Sequence, residues 1–368
     1  MSDTLVYLDH NATTPVLPQV AAAVTAELTR FGNPSSVHGP GRSARAAVED
    51  ARDAVAVLVN ARAQDVVFTS GGTEANALAL RGLASSVVIA AAVEHASVLA
   101  HVRAENQIAV DADGMIDLDA LEKALKKADA PVLVALMLAN NETGVLQPMA
   151  EAVEIARKYG AIVHCDAVQA PGKIAVDLPA LGVDSVSLSA HKFGGLKGAG
   201  ALVLRPGLGL AADLPGGGQE RRRRAGTENV PGIVGFGVAA RAEAKLRGDA
   251  DRLAALRDGL EDAVLAAAPR ARIVARGRQR LPNTSCMVLP GVSSETQVMR
   301  LDLAGVAVSS GSACSSGKIA PSHVLLAMGL APEEAKSAIR VSLGWNSTVA
   351  DVARFLEAWR PLAAGAAA

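Results

Sequence analysis

Four short stretches hold side chains that could do chemistry together. In "SSGSACSSGK" (309–318), Cys314 stands among serines and glycines. That composition offers no apolar pocket for a thiol, so Cys314 is expected to be exposed, mobile and reactive. "FTSGGTEAN" (68–76) reads as a strand, a glycine turn and a helix start, where free backbone N–H groups and the helix dipole favour an anion. It has neither G-x-G-x-x-G nor P-loop spacing, so it is either a phosphate cradle of another kind or a tight turn with no ligand. "HCDAVQA" sets Asp166 after an apolar run. A carboxylate there needs a cationic partner, either an Arg or Lys or a protonated heterocyclic nitrogen such as that of pyridoxal phosphate. "SLSAHKFGG" (187–195) ends a strand with Ser189, His191 and Lys192. A lysine that is partly desolvated or near other cations is a candidate Schiff-base amine.

The elements that must position these groups follow one pattern. From about residue 41, helical and strand-like segments alternate as in an α/β protein with a largely parallel sheet. "GRSARAAVEDARDAVAVLVN" carries Ala44, Ala47, Val48, Ala51, Val55 and Leu58 at helical spacing, whereas "DVVFTS", "VVIAAAV", "VLVALML", "AIVHCD" and "DSVSLSA" are short apolar runs with polar ends. Those ends bring Thr73, His95, Asn141, Asp166 and Lys192 to one sheet edge, where open α/β sheets bind ligands. Near residue 246 the character changes to a smaller α+β domain: a long Ala- and Arg-rich helix, "NTSCMVLPG", a helix over 294–304 and "VAVSS". The tail "LAAGAAA" is expected to fray. No internal repeat is evident.

Bulk properties exclude several function classes. A chain of 368 residues suits about two domains. Its apolar runs fall short of the roughly 20 residues that span a membrane, and "MSDTLVYLDH" lacks a secretory pattern, so a cytoplasmic, membrane-free protein is expected. Cys165, Cys286 and Cys314 form neither a metal-ligand spacing nor a disulfide framework, which fits a reducing compartment. A net charge of -1 and 2% aromatic residues give no footprint for nucleic acid. The exception is "RRRR" at 221–224, a solvated loop, interface patch or anion site.

Taken in order, "YLDHNATTP", "FGNPSSVHGPGRSAR", "TSGGTEANALAL", "VEHASVL", "NNETGVLQP", "HCDAVQAPGK", "SAHKFGGLKG", "GGGQE", "RAGTENV", "SSGSACSSGK" and "IRVSLG" resemble the cysteine desulfurases of the NifS/IscS type, class V aminotransferase-fold pyridoxal phosphate enzymes. The resemblance covers nearly the whole chain and implies a fold type I large domain at 15–246, with 1–14 and 247–368 forming the small domain. It also implies roles. Lys192 holds the cofactor, Asp166 pairs with the pyridinium nitrogen, Gln169 donates to the ring hydroxyl oxygen and His95 stacks on the ring. Gly72, Thr73, Ser189 and His191 match the phosphate site, and Thr227 reaches the phosphate from the partner subunit of a homodimer. Asn141 and Arg340 position the substrate L-cysteine, the guanidinium taking its α-carboxylate. Cys314 falls on the nucleophile that takes sulfur as a persulfide, with His95 the candidate base or cation beside it.

The "SGSAC" signature implies transfer to a sulfur-acceptor protein such as an iron–sulfur scaffold. Three departures stand out: Cys165 before Asp166, Trp345 in "SLGWNST" and "GGLKG" after the lysine. Cys165 and Cys286 read as buried structural thiols, and His10, His38, His101, His164 and His323 as solvated or structural histidines. A selenocysteine lyase or aminotransferase on the same fold, or a non-catalytic sulfur carrier, are the alternatives.

Overall fold

The computed structural model describes residues 5–310 and 320–365, so Cys314 lies outside the described residues. The chain begins with β1 (Val6–Tyr7) and then lays down seven strands of one sheet: β2 (Val66–Thr69), β3 (Val87–Ala91), β4 (Gln107–Ile108), β5 (Val132–Met137), β6 (Ile162–Asp166), β7 (Ser185–Ser189) and β8 (Gly200–Leu204). Their order is β2-β8-β7-β6-β5-β3-β4. Only β8 is reversed, running antiparallel to both β2 and β7. The link from β7 to β8 is too short for a crossover helix, which forces the reversal.

Every residue of β5 is buried, as a near-continuous apolar strand requires when both sheet faces are covered. On one face Val66, Ile89, Val134, Leu136 and Val163 join Val24, Val48 and Phe236 from the helices Pro18–Leu28, Gly39–Leu58 and Val230–Arg247. On the other, Val67, Ala90, Leu133, Ala135 and Leu202 pack with Leu78 and Ala79 of the helix Gly72–Gly82. The helix Gly39–Leu58 has Pro40 in its first turn and is capped by His38, whose Nδ1 accepts from the Gly41 N–H at 3.3 Å. It crosses Val230–Arg247 closely, because a Cβ on Gly237 would fall 2.7 Å from the Cα of Ala51.

The remainder holds β9 (Arg272–Ile273), β10 (Thr284–Val288), β11 (Val306–Ala307), β12 (Ser309–Ser310) and β13 (Ala338–Ser342). An antiparallel sheet runs β12-β13-β10-β9, and β11 pairs parallel with β1. Leu8, Leu253, Leu260, Met287, Ile339 and Phe355 form a separate apolar cluster here. The stretch expected to fray is helical as far as Gly365, where the helix Val349–Gly365 ends. Buried Trp359 anchors that helix, its Nε1–H donating to Gln297 Oε1 at 3.1 Å. No described helix is long and apolar enough to cross a membrane.

The Arg221–Arg224 run does not line the site cavity. Arg221 and Arg223 donate to the Gln64 carbonyl, and Arg224 grips Glu74 in the first turn of Gly72–Gly82 with two bonds, at 2.7 and 3.2 Å. Glu220, Arg221 and Arg222 have φ of 46°, 55° and 64°, the left-handed region that costs a side-chain-bearing residue about 1–2 kcal/mol. Glu220 holds this turn down. Its buried carboxylate accepts from Arg52 Nη1 and Nη2 at 2.7 and 2.8 Å and from the Phe68 N–H at 2.9 Å. Glu220→Ala, which leaves buried Arg52 with only the half-buried Glu49 carboxylate at 3.2 Å, is expected to cost about 3 kcal/mol in urea unfolding. Arg222→Gly is expected to stabilise slightly by relieving the backbone. A wild-type midpoint for Glu220→Ala would refute this account of the turn.

Candidate active site

The carboxyl ends of the parallel strands open onto a cavity of about 260 Å³. Gly72 and Thr73 reach it from the start of the helix that follows β2, His95 from beyond β3, and Asn141 from beyond β5. Asp166 ends β6 and Gln169 follows it, Ser189 ends β7 with His191 and Lys192 just beyond, and Arg340 enters from β13. The site residues named from the sequence thus come together, with two exceptions. Thr227 is exposed and does not line the cavity of its own chain, and Cys314 lies outside the described residues.

Polar bonds fix the cavity wall. Lys192 Nζ donates to the carbonyls of Asn11 and Ala12 at 2.5 and 3.0 Å. Gln169 Nε2–H donates to the same Asn11 carbonyl at 3.0 Å, while its Oε1 accepts from Lys173 Nζ at 3.0 Å. The Asp166 carboxylate accepts from Asn76 Nδ2 at 2.7 Å and from the Val168 N–H at 3.0 Å. His95 Nδ1 caps the helix Ala96–Leu99 by accepting from the Ser97 N–H at 3.1 Å. A neutral ring so bonded carries its proton on Nε2. Burial, with help from Lys192 and His323 and against the pull of Asp166, keeps that ring below the usual histidine range. Arg340 donates to Asp9 Oδ1 at 2.7 Å and to the Asn141 carbonyl at 3.1 Å, and its buried Nε–H has no partner.

The chain matches the class-V aminotransferase family over residues 6–355. It belongs to that family. Its sequence is 46% identical over 372 aligned positions to a cysteine desulfurase of Cereibacter sphaeroides, covering 97% of this chain and 95% of that protein. The X-ray structure of a NifS-like protein from Rickettsia africae is similar with a TM-score of 0.89 and 36% identity, covering 98% of this chain and 99% of the other. The structure of SspA in complex with cysteine is similar with a TM-score of 0.80 and 29% identity, covering 93% and 99%. The branch of the family is therefore that of the cysteine desulfurases, which are pyridoxal phosphate enzymes.

The residues present fit that group. The buried Ser189 hydroxyl has no partner, and the helix Gly72–Gly82 beside it starts at Gly71 without a side-chain cap, so both offer donors to a phosphate. Any side chain on Gly72 would meet Val168 Cγ2 at 2.6 Å, and one on Gly200 would meet the Gly71 Cα at 2.6 Å, so glycine keeps this turn bare.

Sequence reading missed Asn11, Asn76 and Lys173. All three sit inside quoted motifs, yet only the fold shows what they touch. Lys173 is buried, and burial together with Lys192 and Arg340 pushes its pKa down to about 7. Glu142, buried against Ser322, is pushed up to about 7 by burial, and burial also raises Glu94. Trp345 packs over the N-terminal segment, donating to the Pro15 carbonyl at 3.2 Å.

Burial holds His10 and His164 at about 4, whereas unfolded histidine titrates near 6.5. The unfolded state therefore binds more protons between those values. Stability conferred by the neutral rings is complete above about pH 6.5 and is lost as pH falls toward 4, at up to about 1.4 kcal/mol per pH unit for each ring. Unfolding of His10→Gln, followed from pH 7 to 4.5, is expected to show a shallower acid loss than wild type by about one ring's contribution. Parallel curves would contradict the burial of a neutral His10.

Proposed function

We propose that this chain uses pyridoxal phosphate to convert L-cysteine and an enzyme thiol into L-alanine and an enzyme persulfide. One observation carries the reading. A single cavity joins the amine of Lys192, the carboxylate of Asp166, the unpartnered hydroxyl of Ser189 beside an uncapped helix start, and a buried guanidinium, Arg340, whose Nε–H is unpaired and whose two Nη groups have each given only one bond. These complement an aldehyde, a protonated ring nitrogen, a phosphate and an amino-acid carboxylate.

In this reading Lys192 takes the cofactor aldehyde, Asp166 the ring nitrogen and Gln169 the ring oxygen. Gly72, Thr73, Ser189 and His191 surround the phosphate. Bound there, the cofactor supplies an electron-accepting ring that weakens bonds at the substrate α-carbon. Arg340 holds the α-carboxylate beside Asn141, and their existing bond through the Asn141 carbonyl fixes the pair's spacing. His95 is a neutral ring that presents Nε2–H, so in place of the base or cation expected of it we assign it as a hydrogen-bond donor to sulfur. The substrate C–S bond breaks as an S–S bond forms on the thiol, so carbon is reduced as sulfur is oxidised and no external oxidant is needed.

Two of the three cysteines are poor acceptors. Cys165 and Cys286 are buried, and burial pushes Cys286 up to about 12 and raises Cys165 well above the ordinary thiol range. That leaves Cys314. The persulfide sulfur then passes to an acceptor protein, such as an iron–sulfur scaffold, in the cytoplasm. The separate apolar cluster around Leu253 and Phe355 supports a small domain made of 1–14 and 247–368 against a large domain of 15–246. Exposed Leu28, Phe31 and Val37 support a homodimer, in which Thr227 of the partner subunit would complete the phosphate site.

The test is alanine and sulfide release from L-cysteine, with the absorbance of the purified protein between about 300 and 500 nm recorded alongside. Wild type is expected to show a visible band and release both products; Lys192→Ala is expected to release neither. Arg340→Lys, which loses two-pronged carboxylate binding, is expected to raise KM about tenfold or more with a smaller change in kcat. Alanine from Lys192→Ala would sink the proposal. Turnover of selenocysteine with none of cysteine would redirect it to a lyase.

A further inference from the structure

The central strands carry an unusual buried stripe. β7 reads Ser185, Val186, Ser187, Leu188, Ser189, and the two-residue period of a strand sends its serines to one face. β6 does the same with His164 and Asp166, which pair in register with Ser185 and Ser187. His164, Ser185 and Ser187 are completely buried, and Asn76 from the helix Gly72–Gly82 lies against them. Buried polar groups of this kind are costly unless each is satisfied, and here the bonds admit one polarity only.

The direction is set at Asp166. A carboxylate only accepts, so Asn76 must turn its NH2 group toward it, at 2.7 Å, and the same NH2 reaches Ser97 Oγ at 2.9 Å. The Asn76 Oδ1 is then left as an acceptor facing His164 Nε2 at 3.1 Å, so His164 carries its proton there. His164 Nδ1 in turn accepts from the Ser185 hydroxyl at 2.8 Å, and the Ser187 hydroxyl lies 3.3 Å from Nε2. On the other branch Ser97 Oγ, already accepting from Asn76, gives its hydrogen to His95 Nδ1 at 2.8 Å. The chain Ser185–His164–Asn76 thus divides, one arm ending on Asp166 and the other on His95.

We propose that Asn76 is a positioning residue for both arms of the site, its one amide orienting the Asp166 carboxylate and the His95 ring, and that His164 acts through Asn76 by preventing the amide from flipping. A flipped amide would set its carbonyl oxygen against the carboxylate and leave Ser97 Oγ without its donor. The inference rests on the reading of Asp166 and His95 as cofactor contacts, but neither Asn76 nor His164 needs to touch the cofactor.

The experiment compares Asn76→Leu, His164→Leu and His164→Gln by the pyridoxal phosphate dissociation constant of the holoprotein. Each variant is also examined by 15N spectra of histidine-labelled protein, with and without cofactor, and melting curves check folding. Glutamine keeps an N–H for Asn76 and an acceptor for Ser185, so His164→Gln is expected to stay near the wild-type dissociation constant. His164→Leu and Asn76→Leu are expected to weaken retention by about tenfold, the worth of one hydrogen bond to a charged group. The His95 nitrogens of wild type are expected to show a neutral ring protonated at Nε2. Folded His164→Leu and His164→Gln proteins with equal affinities would overturn the proposal even if Asn76→Leu failed to fold, as would a His95 proton on Nδ1. If the ranking holds but cysteine yields no alanine, the desulfurase reading falls and the positioning role stands.

Discussion

Asn11 is buried between the ends of the large sheet and the smaller antiparallel sheet, and all its polar groups are bonded. Its N–H donates to Ser342 Oγ at 3.0 Å, and its carbonyl accepts from Lys192 and Gln169. The side-chain Nδ2 reaches the Asn141 carbonyl and Thr284 Oγ1, at 3.1 and 2.9 Å, while Oδ1 accepts from Asn283 at 3.0 Å. Lys192, Gln169 and Asn141 belong to the large-sheet side of the site, and Ser342, Thr284 and Asn283 to the small-sheet side. Asn11 thus ties the lysine amine to the strand that carries Arg340, alongside the Ala12 bond to Lys192 and the Asn141 bond to Arg340. At roughly 1 kcal/mol net for each bond, the link adds to the apolar contact in which Cys286, Val288 and Ala338 join the core of the large sheet.

From that fixed point the site can tolerate polarity that a core ordinarily excludes. Asp166, Lys173, His164 and Arg340 are all buried, and each has hydrogen bonds to show for it. The exceptions are informative: Ser189 and Arg340 both line the cavity, and among the described residues the Ser189 hydroxyl and the Arg340 Nε–H are buried with nothing to bond. Groups left unpaired in a site otherwise closely satisfied are where a ligand must supply the missing acceptors. Both are donors suited to an anion, Ser189 at the end of β7 and Arg340 on β13, which fits a phosphate and a carboxylate held by different strands.

Much of this was legible in the sequence because motifs encode local chemistry and the strand-end rule brings them together. The polar ends of "VVIAAAV", "VLVALML" and "AIVHCD" do meet at one edge, and the long helices fall close to where periodicity places them. What escaped was polarity buried by topology. Asn76 looks like any helix residue until the fold sets it over His164, and Asn11 like a loop residue until the fold brings Thr284, Asn283 and Ser342 to one side of it and Lys192 and Gln169 to the other. "DSVSLSA" reads as a short apolar run, and that its alternating serines form a buried stripe against His164 follows only from the pairing of β7 with β6. The left-handed turn at Glu220–Arg222 had no glycine to announce it; a distant ion pair to Arg52 imposes it.

The central claim is that sulfur leaves L-cysteine for a particular thiol of this chain. The most direct measurement is peptide mass spectrometry of the holoprotein after a brief exposure to L-cysteine, with free thiols and persulfides trapped by alkylation. One added sulfur atom on the peptide containing Cys314, and none on those containing Cys165 or Cys286, is the expected result. Alanine formed with no sulfur on Cys314, or with the added sulfur on a buried cysteine, would contradict the account.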